Sequence, residues 1–235
     1  MKRLEEVFEK VGSEVIFSFQ LFGDTVNINN AVFVCFIVSI ILIVLSALLK
    51  RTLKADNPGK IQVCVEWLVE IVNNLCKTSA GHHGKAFVPY IGTLLVFLGL
   101  ANIIGLLNFI PGLHMYPPTK DINVTATLAL ISIIVVLGAG FRYKGLKGWA
   151  KTLIDPMPVV APFKLMEYIT KPLSLALRLF GNVFAAFIIM EIIYSVVPVP
   201  FVSSPFSAYF DIFDGVLQAF IFTYLTIVYI GEAVE

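Results

Sequence analysis

The sequence predicts an all-α polytopic membrane protein with five transmembrane helices and one amphipathic helix on the membrane surface. Of its 235 residues, 58% are hydrophobic and only 14% are charged, whereas a soluble domain of this size carries roughly a quarter charged residues. Several apolar runs approach the roughly 20 residues that a helix needs to span a bilayer. The net charge is +1, and the basic residues stand at helix ends rather than in one cluster, so nucleic acid is not an expected partner.

The five predicted spans form a single membrane domain that covers residues 1–235. An N-terminal surface segment at residues 1–30 precedes spans at residues 31–49, 87–109, 123–141, 162–196 and 205–233. Lys50 and Arg51 follow the first span, and Arg142 and Lys144 follow the third. Cytoplasmic loops carry an excess of lysine and arginine. We therefore expect the N-terminus outside the cell and the C-terminus in the cytoplasm.

Residues 61–76 are predicted to form a helix that lies on the membrane rather than across it. Apolar side chains such as Val65 and Leu68 recur at helical spacing, and Glu66 and Glu70 occupy the other face. A helix with one apolar and one charged face is stable in the plane of the interface.

The last two predicted spans are longer than a bilayer requires. At 1.5 Å per residue, about 30 residues or more make a helix of roughly 45–50 Å, against a hydrocarbon core of about 30 Å. A strong tilt, or a kink at Pro172, would bring the two lengths into agreement.

Arg178 is a charged residue within the fourth predicted span. A guanidinium cannot lose its proton, and an arginine at the bilayer centre costs about 2.5–3.5 kcal/mol on insertion scales. Helical spacing places it on one stripe with Glu167, Lys171, Ser174, Asn182 and Ala185. The stripe either faces a wet or moving partner or packs inside the bundle, with Arg178 paired to Glu191, Asp211 or Asp214 of the same chain.

Asp211, Asp214 and Gln218 share one face of the fifth predicted span by their helical spacing. Two ionised acids so close together are costly against lipid. We therefore predict that this face forms the wall of a water-filled vestibule that opens to the outer side. The alternative is that the acids are at the start of a helix because they interact favourably with its dipole.

Two further polar residues within the spans have candidate roles. Glu191 lies on the side of its helix opposite Arg178, where it either lines an aqueous route from the outer side or reaches the interface. Asn102 stands alone among apolar residues; it predicts a hydrogen bond between helices and is a candidate member of the ion path.

No pattern for catalysis or for a cofactor is present. The cysteines lack CxxC spacing, and His82 and His83 have no third ligand at usable spacing, so no metal is expected. There is no G-x-S-x-G, phosphate-binding loop or H-E-x-x-H. The sequence thus predicts a non-catalytic protein without a bound cofactor.

Three segments resemble the a subunit of F-type ATP synthases. They are PLSLALRLFGN at residues 172–182, QAFIFTYLTIVYI at residues 218–230 and DINVT at residues 121–125. The similarity runs from about residue 57 to the C-terminus, and the two long motifs stand in the order typical of the family.

The resemblance implies a stationary, ion-translocating subunit that couples ion flow to rotation during ATP synthesis. In this family two offset aqueous half-channels lead to a ring of c subunits, and Arg178 would face that ring and separate the channels. Asn182 and Gln218 would support it. The implied partners are the c-subunit ring, the b-subunit peripheral stalk, the remaining ATP synthase subunits, the lipid bilayer of a bacterial plasma membrane, and the translocated H⁺ or Na⁺.

The sequence departs from the common family pattern at two positions. Many members carry a glutamate where this chain has Phe187, so Glu191, one turn further along, is expected to take that role. Some members carry a histidine where Asp211 stands, and an acidic outer channel would suit a hydrated cation. The alternative function is a self-contained transporter or channel that uses Arg178 and the acids as a substrate site. Such proteins usually show two related halves, and no repeat is visible here.

Overall fold

The structure is a computed structural model that describes residues 15–21, 24–53, 58–104, 117–154, 161–196 and 209–234. Within these ranges, five helical segments are long and apolar enough to cross a membrane. The predicted fold class, an all-α multi-pass membrane protein, is confirmed.

A short β-hairpin precedes the first helix, where the sequence analysis expected only a surface segment. Strands β1 (Val15–Leu21) and β2 (Asp24–Asn29) pair antiparallel. Ser18 and Gln20 alternate with phenylalanines along β1, and an alternation with a period of two is typical of a strand. The rest of the predicted segment, residues 1–14, lies outside the described residues.

Six helices and three short helical turns form most of the rest of the described chain. The helices are α1 (Asn30–Thr52), α2 (Lys60–Ala80), α3 (Val88–Ile103), α4 (Ile122–Ile154), α5 (Ala161–Val196) and α6 (Gly215–Val234). Turns of 3-10 helix at Gly81–Phe87 and Pro118–Lys120 precede α3 and α4, and a π-helical turn at Tyr209–Asp214 leads into α6.

Helix α4 extends well beyond the third predicted span, which ended at residue 141. The basic stretch that follows was expected to be a loop, but it is helical on both sides of Gly145. Gly145 has φ +70° and ψ 166°, a conformation that costs glycine little because it has no Cβ. The range called α4 therefore consists of two helical segments that meet at a kink at Gly145.

Helix α6 is the central element and packs against α2, α3, α4 and α5. Its half nearer the C-terminus lies in a first apolar cluster with α2, α3 and α4, which includes Val72, Ile91, Ile133, Ile227 and Ile230. The other half lies in a second cluster with α3, α4 and α5, which includes Leu94, Leu98, Leu175, Leu179 and Phe222. Helix α6 thus joins the packing of every helix except α1.

Helices α2 and α6 approach each other closely at Gly231. A Cβ atom at this position would collide with the main-chain carbonyl of Ser79. The residue without a side chain allows backbone-to-backbone packing, as small residues do in membrane helix pairs.

Helix α1 lies at the edge of the bundle. Val34 and Val38 are buried against Ile104 beyond the end of α3, while Phe36, Ile40 and most other large apolar side chains of α1 are exposed. An apolar helix that is this exposed in isolation is expected to face lipid.

Candidate ion-translocation site on α5 and α6

Arg178 lies on the face of α5 that points away from the bundle. Its neighbours Leu175, Ala176 and Leu179 are buried in the second cluster, whereas Leu177 and Arg178 itself are exposed. The burial of one face of α5 leaves the opposite face, which carries the guanidinium, available to something outside this chain.

Arg178 belongs to neither of the two ion pairs found among the described residues, because both are formed by Lys171. Asp214, one of the carboxylates considered as a partner for Arg178, is half-buried at the end of the π-helical turn. For Glu191 and Asp211 the structure describes the backbone, which is helical, but not the side chains. The exposure of Arg178 places it on the outward face of α5.

One helical turn beyond Arg178, a hydrogen bond joins α5 to α6. Asn182 Nδ2 donates to Gln218 Oε1 at 2.8 Å. Gln218 is completely buried, and its Nε2 atom has no hydrogen-bond partner within the described part of the chain. A buried donor without an acceptor costs about 1–3 kcal/mol, so this amide can stabilise an acceptor that reaches it.

The residues of the stripe predicted around Arg178 differ in their exposure and contacts. Ser174, Asn182 and Ala185 are exposed beside Arg178. Lys171 is instead engaged by carboxylates, with its Nζ 2.5 Å from Glu232 of α6. Glu167 is exposed as well, so Lys171 is the member of the stripe that is turned toward α6.

Asn102 forms hydrogen bonds between separate elements, as the sequence predicted. Its Nδ2 donates to the carbonyl of Gly215 at 2.9 Å, and its Oδ1 accepts from Thr119 Oγ1 at 2.6 Å. Both side chains are almost fully buried. Asn102 thereby ties the end of α3 to the turn before α4 and to the start of α6.

The face expected to contain Asp211, Asp214 and Gln218 is altered by the π-helical turn. The spacing argument assumed an uninterrupted α-helix, but residues 209–214 have π-helical hydrogen bonding, which changes the rotation per residue. Gln218 is buried and Asp214 only half so. Turns of this kind are frequent at functional sites. The residue types at positions 209–214 did not predict a π-helical turn.

A contact that the sequence did not predict involves Phe187. Lys120 Nζ lies 3.5 Å from the centroid of the Phe187 ring, a cation–π geometry. The two residues are far apart in sequence, and nothing in either segment indicated the contact. Lys120, in the turn before α4, thus contacts the half of α5 that lies beyond Arg178.

In the described ranges, no three histidine, cysteine, aspartate or glutamate side chains are close enough to hold a metal ion. The candidate site contains the exposed guanidinium of Arg178, the linked amides of Asn182 and Gln218, and the half-buried Asp214 at the end of the π-helical turn. Such a set can attract, orient and release charged groups.

Comparison with known proteins places the chain in a family. Residues 32–231 match the family described as ATP synthase A chain. The chain belongs to this family. The resemblance read from the sequence is confirmed, and the subunit is, as its family is, a non-catalytic membrane component of the ATP synthase complex.

Two relatives illustrate the extent of the similarity. The chain is 35% identical over 189 residues to "ATP synthase subunit a, sodium ion specific" of Propionigenium modestum. The aligned region covers 75% of this chain and 64% of that protein. It is 32% identical over 213 residues to "ATP synthase subunit a 1" of Hahella chejuensis (strain KCTC 2396). This aligned region covers 89% of this chain and 86% of that protein.

Proposed function

We propose that this chain is the ion-translocating stator of a rotary ATP synthase, and that it couples ion flow to rotation of a c-subunit ring. The observation that carries the proposal is Arg178, an exposed arginine outside the ion pairs of the described chain, on a helix apolar enough to span a membrane. Its proposed setting is a bacterial plasma membrane, with the N-terminus outside and the C-terminus in the cytoplasm. The b-subunit peripheral stalk and the remaining synthase subunits complete the set of partners.

The proposed mechanism is electrostatic. A ring carboxylate that has lost its ion is an anion in the membrane and is costly unless it is paired. The fixed charge of Arg178 stabilises that anion and so favours release of the ion as the carboxylate arrives. The carboxylate reloads from the other channel once rotation carries it past the arginine.

The same charge prevents ions from crossing without rotation. A cation that moved directly between the two half-channels would have to pass the guanidinium, which repels it. Each elementary charge that crosses 100 mV releases about 2.3 kcal/mol, so a barrier to leakage conserves the energy that drives the ring.

Gln218 and Asn182 are proposed to hold the arginine's surroundings polar, and Asp211, Asp214 and Glu191 to line the outer half-channel. Asn102 was predicted as a further member of the path. Its two hydrogen bonds fix the start of α6, so we assign it to the support of the outer half-channel rather than to contact with the ion.

The proposed ion is a monovalent cation, H⁺ or Na⁺. One relative is named as sodium ion specific, and acids at positions 211 and 214 suit a hydrated cation. The carboxylates of the ring, which belong to another subunit, select between the two ions.

Replacement of Arg178 tests the proposal. In the complete synthase reconstituted into vesicles, Arg178→Ala should abolish ATP-driven ion pumping, because the ring carboxylate then lacks a cation that favours its charged form. ATP hydrolysis by the detached catalytic head should remain. Arg142→Ala, which removes an exposed arginine of α4, is the matched control and should pump normally. Normal pumping by Arg178→Ala would contradict the proposal.

A further inference from the structure

Helix α5 contains a weak point close to Arg178. Pro172 lies inside the helix, six residues before the arginine. Proline has no N–H to donate to the carbonyl four residues earlier, that of Tyr168, and its ring crowds that carbonyl. A helix that holds a charge opposite a moving partner is therefore easiest to bend just before that charge.

The weak point is held on one side by α4. Trp149 Nε1 donates a hydrogen bond to Tyr168 Oη at 3.0 Å. The Trp149 ring also lies between those of Phe141 and Tyr168, with centroid distances of 4.9 and 5.9 Å. These contacts fix the turn of α5 that precedes the proline.

The weak point is held on the other side by α6. Lys171, directly before Pro172, has its Nζ 2.5 Å from Glu232 Oε2 and 3.4 Å from Glu167 Oε2. The same Nζ lies 5.0 Å from the centroid of the Tyr229 ring. The side chains are 21% exposed for Lys171 and 54% exposed for Glu232, so only the lysine end of the pair is shielded from water, and solvent screens the pair in part.

The two carboxylates around Lys171 are not equivalent. Glu167 is on α5 itself, one turn from Lys171, so its contact joins nothing new. Glu232 is on α6, so its contact connects two helices. Beyond Arg178, the bond between Asn182 and Gln218 connects the same two helices again. Arg178 therefore lies between two contacts that join α5 to α6, and these contacts are about 16 Å apart along α5.

We infer that the Lys171–Glu232 ion pair is a brace that stiffens α5 at its proline, and that Lys171 is thereby a positioning residue for Arg178. The inference rests on the proposed function, since it assumes that a ring carboxylate attracts Arg178 and pulls on α5. A helix tied on both sides of the arginine transmits this force to the bundle. Without the brace the helix bends at Pro172, and the guanidinium follows the ring for part of a step.

A matched pair of substitutions tests the brace in the reconstituted complete synthase. Glu232→Gln removes the partner on α6 and should lower the maximum rate of ATP-driven pumping by about tenfold or more, since a displacement of 1 Å can cost far more than that. Glu167→Gln removes the contact within α5 and should leave the rate within about twofold of wild type. The ion concentration that gives half-maximal pumping should be unchanged in both, because neither alters the ring site.

A second substitution separates a brace from a general loss of structure. Pro172→Ala restores the missing helical hydrogen bond and so removes the need for the brace. The double variant Pro172→Ala, Glu232→Gln should pump at the rate of Pro172→Ala alone, to within about twofold. Each complex is compared at equal content of this subunit.

Two results would overturn the inference: equal losses in Glu167→Gln and Glu232→Gln, or a loss in Glu232→Gln that persists in the Pro172→Ala background. Either result leaves the proposed function intact, because wild type still pumps and Arg178→Ala does not. Normal pumping by Arg178→Ala would instead remove the proposed function itself.

Discussion

Gln218 and Asn182 show at the scale of single residues how a polar contact is kept inside an apolar helix pair. The amide of Gln218 is buried and depends on the exposed Asn182 for the one hydrogen bond made by its Oε1 in the described part of the chain. Removing one partner of a buried hydrogen bond costs more than removing both, because the remaining group is left without a partner.

Asn182→Leu should therefore destabilise the subunit by about 1–3 kcal/mol, because Gln218 Oε1 loses its donor. The double variant Asn182→Leu, Gln218→Leu should regain much of this stability, since no buried polar atom remains, yet pumping should stay low because both proposed supports of Arg178 are gone. Thermal unfolding of the purified subunit in detergent and vesicle pumping measure the two effects. A double variant that is less stable than Asn182→Leu would contradict the argument.

Asn102 marks a limit of reasoning from single residues. Its isolation among apolar neighbours correctly predicted a hydrogen bond between helices. Its partners are a backbone carbonyl at Gly215 and a hydroxyl at Thr119, and neither residue type signals such a bond on its own. The same holds for Lys171 and Glu232, whose contact joins helices that are distant in sequence.

At the scale of elements, the tight approach of α2 and α6 depends on the absence of a side chain at Gly231. Gly231→Ala should separate the two helices and cost about 1–3 kcal/mol, the usual cost of overpacking. Gly138→Ala is the control, because a Cβ at that helical position meets no atom of another helix within 4 Å, and it should not destabilise the subunit. Thermal unfolding in detergent compares the two, and equal stability of both variants would contradict the close packing.

Apolar runs were sufficient to predict the helices, because a spanning helix must satisfy its own backbone and leaves a long uninterrupted signal. The turns between and within helices were harder. Gly145 interrupts α4 with a non-helical backbone conformation, and the π-helical turn at Tyr209–Asp214 changes the rotation per residue before Gln218. A spacing rule assumes constant rotation per residue, so it fails where that rotation changes.

At the scale of the whole molecule, the outward face of α5 is the surface proposed to meet the ring. Cysteines at Ser174 and Ala185, both exposed on this face, should form cross-links to cysteines placed in the c-subunit ring. A cysteine at Ile43 is the control, because it is 67% exposed on the peripheral helix α1, and it should not cross-link to the ring. Cross-linking in native membranes, read on denaturing gels, decides between them. Equal yields at positions 43 and 174 would reject this orientation.

Because α1 lies at the edge of the bundle, we expect substitutions on it to change the amount of subunit in the membrane and the turnover of each subunit independently. Val34 and Val38 are the fully buried residues of α1, and they pack with Ile104 and the partly buried Leu42, Phe97 and Leu100. A substitution on the exposed face of this helix leaves that packing unchanged. A charge introduced on its lipid-facing side would reduce how much subunit is inserted and retained by the cell. Each copy that did enter the membrane would still turn over ions at the normal speed, so abundance and turnover number would vary independently.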